Sequence, residues 1–450
     1  MARSSAKLFQ RLGRRRDVSP GELEHMQAQL ESMSLREITS LVERLASVDG
    51  AKVLRMMPPE RSLAVFDVLN PGHQADIVAA LGDDNVVDYF DSMGAEDRVA
   101  LLDNLPAQIA ERLLQDLDED DQRVTNVVLG YGKGTVGRSM SPAVPDVTPG
   151  MTVQQVVDML RADVEKLETI YTIPVIDDDR GLVGVTSLRR LFRSYGDQLI
   201  GDVLSEATPV RATDEVEGAA RWLMSTDMLA VPVVDEDNRL VGIFTYDEAQ
   251  DVVEHADTED SARTGASEPL GKPYLSTPVL QLVRSRIVWL LVLAVSATLT
   301  VQVLDVFEET LEKAVVLSLF IPLLTGTGGN TGNQAATTVT RALALDDVRK
   351  RDILEVMWRE LRVGMMLGAV LGTLGLAVAS AVYGADIGIV IGSTLFLICS
   401  ISATVGGMMP IVAKAVGADP AVFSNPFIST FCDATGLIIY FFIAKAVLGI

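Results

Sequence analysis

The sequence predicts a multidomain chain of α, α/β and membrane all-α parts: a helical superhelix, a tandem α/β repeat and a five-helix transmembrane bundle. Three observations carry that expectation. The 450 residues exceed one ordinary domain. A formal charge of −23 coexists with a mean hydropathy of +0.27, because most of the acids precede Arg286 and long apolar runs follow it. Between these extremes, two stretches repeat one order of apolar runs and acidic turns.

Residues 1–17 carry Arg11, Arg14, Arg15 and Arg16 without an apolar core, so they read as a basic disordered tail rather than a signal peptide. Contact with anionic lipid is the alternative. From 18 to 129, apolar clusters such as LVERLA, SLAVFDVL, QADIVAAL and RVALLDNL alternate with Pro58-Pro59, Asn70-Pro71-Gly72, Gly94 and Pro106. The interval is roughly a dozen residues, which predicts stacked short helices forming an N-domain. The joint GYGKGTVGR at 130–138 lacks the Gly-Lys-Ser/Thr of a phosphate loop and reads as a linker.

The tandem repeat fills 138–260. Its copies contain IPVI and LVGV, then VPVV and LVGIF, each pair separated by an acidic turn and flanked by helical patterns. This resembles a pair of CBS motifs, a tandem CBS α/β domain, which in that family is a regulatory module and often binds adenine nucleotides such as ATP. Thr245 and Asp247 match the family's ribose-contacting Thr-x-Asp. In the first copy Thr186 answers to Thr245, and Leu188 stands where the acid would be. Tyr171 could stack on a base, a core position being the alternative.

Acids crowd the end of the repeat. Asp247, Asp251 and Glu254 fall on one helix face, with Glu248 beside them; Asp214, Glu215 and Glu217 form a second cluster. Like charges this close repel, and bridging divalent cations would relieve the repulsion. A solvated acidic face is the alternative.

Residues 261–286 connect to the membrane domain, 287–450. Five runs there approach the ~20 residues a span requires: 287–304, 314–344, 363–382, 387–416 and 427–448. Arg284, Arg286, Arg349, Lys350, Arg351, Arg359 and Arg362 flank one side, which puts the N-terminus in the cytoplasm and the C-terminus outside. Asp433 sits inside the last span. A lone intramembrane carboxylate marks an ion path by default. Asn425, Ser429 and Asp433 recur at four-residue steps, and Gly436 and Tyr440 continue that face. In the second span Asn330, Asn333, Thr337 and Arg341 recur near helical spacing among glycines. Oxygen donors suit a hard cation, and the three histidines are too scattered for zinc. Cys399 and Cys432 read as small buried hydrophobes. The residues alone leave magnesium, manganese and calcium open.

Two motifs, LLTGTGGNTGNQAAT with RALA (323–344) and SNPFISTFCDATGLIIY (424–440), together with the order of parts, resemble the MgtE family of magnesium transporters. The resemblance implies a homodimer in the inner membrane and a plug helix near Thr277–Arg286. It implies pore residues Asp433, Asn425 and Ser429, and sensor acids at Asp247, Glu248, Asp251 and Glu254, with Asp91 on the N-domain side. Magnesium would be both cargo and regulator. A transporter of another divalent ion (manganese, cobalt) and a membrane-bound sensor that carries nothing are the alternatives. No nucleophile–base pair or metal triad points to an enzyme, and nothing points to nucleic acid.

Overall fold

The computed structural model describes residues 20–81, 86–345, 347–418 and 425–450. It divides into two compact units. One runs to Asp257 and includes Leu270–Pro278; the other holds Thr258–Pro269 and Val279–Ile450. The tail read at 1–17 lies outside the described residues.

The first unit opens with short helices: α1 (Pro20–Ser32), α2 (Leu35–Val42), α3 (Ser47–Arg55), α4 (Pro59–Asp67), α5 (Pro71–Leu81), α6 (Val86–Asp91), α7 (Ala95–Leu102), α8 (Ala107–Asp116) and α9 (Glu119–Leu129). The starts of α2 to α5 lie twelve residues apart, as do those of α7 to α9. Local chemistry sets these starts. The Ser34 N–H donates to the Glu37 carboxylate at 2.9 Å while the Ser34 hydroxyl caps the helix, a reciprocal box. Pro59 and Pro71 occupy first turns, where a missing N–H costs nothing. Asp118 caps α9 by accepting from the Asp121 N–H at 2.8 Å. Helices this short are not stable alone. A common core of Ile38, Val42, Leu54, Phe66 and Ile77, all fully buried, holds them.

Next come α10 (Val153–Asp163), β1 (Thr172–Ile176), β2 (Leu182–Ser187) and α11 (Leu188–Arg193), then β3 (Val210–Arg211), α12 (Val216–Met224), β4 (Ala230–Val234), β5 (Leu240–Thr245) and α13 (Tyr246–Thr264). β1–β2 and β4–β5 are antiparallel hairpins, and β3 joins β4 in parallel. The segment preceding each copy crosses to the other copy. Ser141 exchanges backbone hydrogen bonds with Ile243, and Ser205 with Val185, at 2.8–3.0 Å. The crossing explains the repeated LVG. A Cβ on Gly184 would lie 2.7 Å from the Ser205 carbonyl, and one on Gly242 2.7 Å from that of Ser141.

The second unit contains α14 (Val279–Val306), α15 (Glu308–Lys313), α16 (Ile321–Ala344), α17 (Ile353–Tyr383), α18 (Ala385–Ala415) and α19 (Asn425–Leu448). Among the described residues four stretches are long and apolar enough to cross a bilayer: Val279–Val306, Lys350–Tyr383, Ala385–Ala415 and Phe427–Leu448. The expected span at 314–344 differs. A 3-10 stretch, Val315–Phe320, precedes α16, and α16 is too polar to join the four by composition. Its 24 residues are still long enough, about 36 Å at the α-helical rise. Its threonines satisfy themselves within the helix: Thr327 donates to the Leu323 carbonyl at 2.7 Å and Thr331 to that of Thr327 at 2.8 Å. The connecting region read at 261–286 is divided between elements. α13 ends at Thr264, and α14 runs unbroken from Val279 into the first span, so the plug segment and that span are one helix.

Glycines let these helices touch. On α17, Gly364, Gly368 and Gly372 face the carbonyls of Cys399, Phe396 and Gly392 on α18, where a Cβ would sit 2.6–2.7 Å away. Gly384 alone joins α17 to α18, at a φ of +97° that L side chains rarely adopt.

Candidate ion path and cation sensor

Asp433 lies on α19, half-buried, and no hydrogen bond or ion pair reaches it among the described residues. One turn earlier, Ser429 accepts a hydrogen bond from the Asn333 amide of α16 at 3.0 Å. The Asn333 carbonyl oxygen is buried and has no partner. α16 approaches α19 through glycines: a Cβ on Gly329 would meet the Ser429 hydroxyl at 3.4 Å, and one on Gly332 would meet Ile428 at 2.6 Å.

The two polar columns differ. Asn333 turns to α19, whereas Asn330, Thr337 and Arg341 are exposed on the surface of the chain. On α19, Gly436 packs against Ile398, and buried Tyr440 donates to the Leu317 carbonyl at 2.9 Å. Both continue the Asp433 face along the helix but are packed inside the chain. Seven residues turn about 700°, so Tyr440 lies within about 20° of Asp433 round the helix; its burial comes from the chain packed against that height of α19, not from drift of the column. Asn425 opens α19, and its side chain lies outside the described residues. A cleft of about 610 Å³, lined by Thr264–Ser267, Arg286, Leu290, Leu293 and Ser429, brings solvent to the Ser429 end of the face.

In the first unit, acids from three places converge. Glu248 stands in the first turn of α13, Glu96 and Asp97 in the first turn of α7, and Glu168 just before β1. Burial pushes the Glu248 carboxyl up to about 9, and the fields of Asp97, Glu96, Asp251 and Asp247 add to it. Burial lifts Glu96 to about 8, helped by Glu168 and Asp97. Asp97 rises to about 6 for the same reason, with Asp67 and Glu168 contributing. Burial also raises Glu168 and Asp251. Glu96 is 6% exposed, and its Oε2 has no hydrogen-bond partner. Among the described residues, no lysine or arginine acts on these five acids.

The expected sensor acids are therefore distributed. Asp247 and Glu254 are exposed, and Asp251 reaches solvent while its carboxyl stays partly desolvated; Asp247 and Asp251 act on Glu248. Asp91 is exposed at the end of α6, its carbonyl accepting from Arg98 at 2.6 Å. The other cluster lies apart and holds partners of its own. The Asp214 carboxylate accepts from the Arg211 N–H at 2.9 Å, and Glu217 pairs with Arg221 at 2.8 Å, which also reaches Asp257 at 2.6 Å. Glu215 is exposed at the start of α12. Sequence reasoning missed Asp67, Glu96, Asp97 and Glu168. Glu96 and Asp97 in a first helical turn look like ordinary dipole complements, Asp67 closes α4 and Glu168 lies in a connection, and nothing local announces their burial. Among the described residues, no three His, Cys, Asp or Glu side chains form a ready-made ligand cage. The residues suit a magnesium ion that keeps part of its water shell and bridges carboxylates; the unpartnered, buried Glu96 oxygen is an acceptor such an ion would satisfy.

At the nucleotide candidates, Tyr171 is 58% exposed, which removes the core alternative, and Thr245 is buried with its hydroxyl unpartnered. The strand register corrects one correspondence. Thr172 pairs with Ser187 as Ala230 pairs with Thr245, so Ser187, not Thr186, answers to Thr245. Arg189, not Leu188, then stands where Asp247 does. Thr186 is buried one register position earlier and donates to the Val203 carbonyl at 3.3 Å.

Family models match along the chain. A model described as a divalent cation transporter, MgtE, matches 321–443; the MgtE intracellular N domain matches 33–134; the CBS domain matches 135–197 and 205–254. A magnesium transporter MgtE of Thermus thermophilus is 33% identical over 447 residues, 96% of this chain and 97% of that protein. The chain belongs to the MgtE family. A second MgtE relative, from Bacillus subtilis, is 29% identical over 93% of this chain and 95% of its own. A crystal structure of the cytosolic domain of the Mg2+ channel MgtE in complex with ATP aligns with a TM-score of 0.50 and 27% identity, covering 55% of this chain and 99% of that one. As an MgtE-family member the chain is a multi-pass membrane protein, with its helical N-domain and CBS pair preceding the membrane helices.

Proposed function

We propose that this protein is a homodimeric magnesium transporter of the inner membrane, inhibited when cytosolic magnesium rises. The observation that carries the reading is Asp433. It is a half-buried carboxylate without a partner among the described residues, in an apolar helix one turn from the Asn333–Ser429 pair. A charge there is tolerable only beside a wet passage. In a dimer two such carboxylates would concentrate a hydrated divalent cation, with amide and hydroxyl oxygens holding its waters. The N-terminus is cytoplasmic and the C-terminus outside, as the flanking arginines favour. MgtE-type relatives named as magnesium transporters at this identity support the choice of ion.

Gating follows from the acids around Glu248. At low magnesium the cost of ionising these buried acids beside one another disfavours the compact arrangement. At high magnesium, ions bridging Glu96, Asp97, Glu168, Asp247, Glu248 and Asp251 favour it, and that differential binding is what closes the pore. ATP at the CBS pair is supported by the exposed Tyr171 and the unpartnered Thr245 hydroxyl, and by the ATP held in the similar cytosolic domain.

The test is magnesium flux into liposomes containing the purified protein. Wild type carries magnesium, and Asp433→Ala loses at least ten-fold in rate. Equal flux through Asp433→Ala overturns the pore assignment. Manganese that competes as strongly as magnesium would replace the proposed ion.

A further inference from the structure

The segment that joins the first unit to α14 is fastened to the N-domain. Lys272 Nζ lies 2.5 Å from Asp76 Oδ2 on α5, and the lysine side chain is 17% exposed. The Ser47 hydroxyl of α3 reaches the same oxygen at 3.4 Å. Beside this pair the Gly271 carbonyl occupies the space of a side chain at Gly72: a Cβ there would stand 2.2 Å away. Gly271 itself has a φ of +63°, which turns its carbonyl toward α5 at no steric cost. The Asn70 carboxamide accepts from the Gly72 N–H at 3.0 Å and fixes that first turn. Beyond the pair the segment is stiff. The Ser276 and Thr277 hydroxyls both donate to the Pro273 carbonyl, at 2.8 and 2.9 Å, Thr277 is buried, and Pro273 and Pro278 limit the backbone.

Lys272 and Val279, where a 28-residue helix begins, are seven positions apart. Fully extended that stretch would span about 25 Å, and the turn at Pro273 shortens it. α14 is continuous, so a displacement at its first turn is delivered along the helix rather than absorbed.

We propose that Lys272 is a positioning residue: its ion pair with Asp76, seated by Gly72, straps the N-domain to the first membrane helix and carries the gating signal between them. N-domain movement then acts on α14 through the strap as well as through α13. This rests on the reading that cytosolic magnesium inhibits transport. An exposed ion pair would be worth little, but this lysine is largely desolvated, and the pair is backed by a backbone contact that admits only glycine.

The experiment uses the full chain in liposomes, with magnesium influx measured against a series of internal magnesium concentrations. Lys272→Glu and Asp76→Lys should each raise the internal concentration for half-inhibition about five-fold or more, in the range of ordinary coupling energies. Flux at zero internal magnesium should stay at the wild-type value. The charge-swapped Lys272→Glu/Asp76→Lys protein should return toward wild type, which a merely structural lysine would not allow. Gly72→Ala, which leaves both charges in place, should shift inhibition in the same direction. Unshifted single variants, or a double variant no better than the singles, overturn the strap while the gating reading stands. If wild type itself is not inhibited by internal magnesium, the gating reading falls first and the strap with it.

Discussion

At Glu96 and Glu248, burial works against charge without a neighbouring cation to offset it. Their carboxyls stand at about 8 and 9, against about 4.3 for an unperturbed glutamate. Between those limits the folded protein holds protons that the unfolded chain has released, so stability falls as pH rises across that window. Without divalent ions, the melting temperature of the purified protein should drop steadily from pH 6 to pH 9. Glu248→Gln should flatten the slope, because an amide has nothing to lose. A flat profile in wild type would contradict the burial of these groups. Magnesium at 100 times its dissociation constant should restore about 2.7 kcal/mol per site, measured as a shift of the same melt. At Thr245 the hydroxyl has no partner among the described residues. Thr245→Val should therefore cost no stability beyond a few tenths of a kcal/mol, yet weaken ATP binding several-fold by calorimetry.

At the scale of elements, the membrane helices are spaced by their glycines. A Cβ on Gly406 would lie 2.2 Å from the Gly332 carbonyl, which is backbone and cannot rotate away. Gly406→Ala should push α16 from α18 and destabilise the protein by about 1–3 kcal/mol. Flux should fall as well, since the same displacement moves Asn333 relative to Ser429. A detergent melt and a flux assay together check this, and an alanine variant with wild-type values in both would show that the helices re-seat freely. The twelve-residue period of the N-domain was legible because four of its starts are written locally, in Ser34, Pro59, Pro71 and Asp118. The crossing of the two CBS copies was not. LVG at both sites marks a close approach, but only the structure identifies what approaches.

For the whole molecule, the proposed sensor is a difference between two states. Removing acids one at a time should barely move it, because the rest still repel. Replacing Asp247, Glu248 and Asp251 together with their amides should raise the internal magnesium needed for half-inhibition about ten-fold, about 1.4 kcal/mol of lost coupling. Unchanged inhibition in the triple variant would place the sensor elsewhere. The same variant should transport normally at low magnesium, since Asp433 is untouched.

The sequence by itself determined the membrane half, the repeat and the carboxylate in the last span. Each is a matter of local composition or period, and a mid-span acid is conspicuous wherever the chain goes. It also named Glu248, from its place among acids on one helix. Only the tertiary structure brought Glu96, Asp97 and Glu168 to that helix, gave Asp214 and Glu217 partners of their own, and turned Tyr440 inward while leaving Asp433 unpaired. Desolvation and opposing charge are properties of neighbours in space, and elements far apart along the chain supply those neighbours.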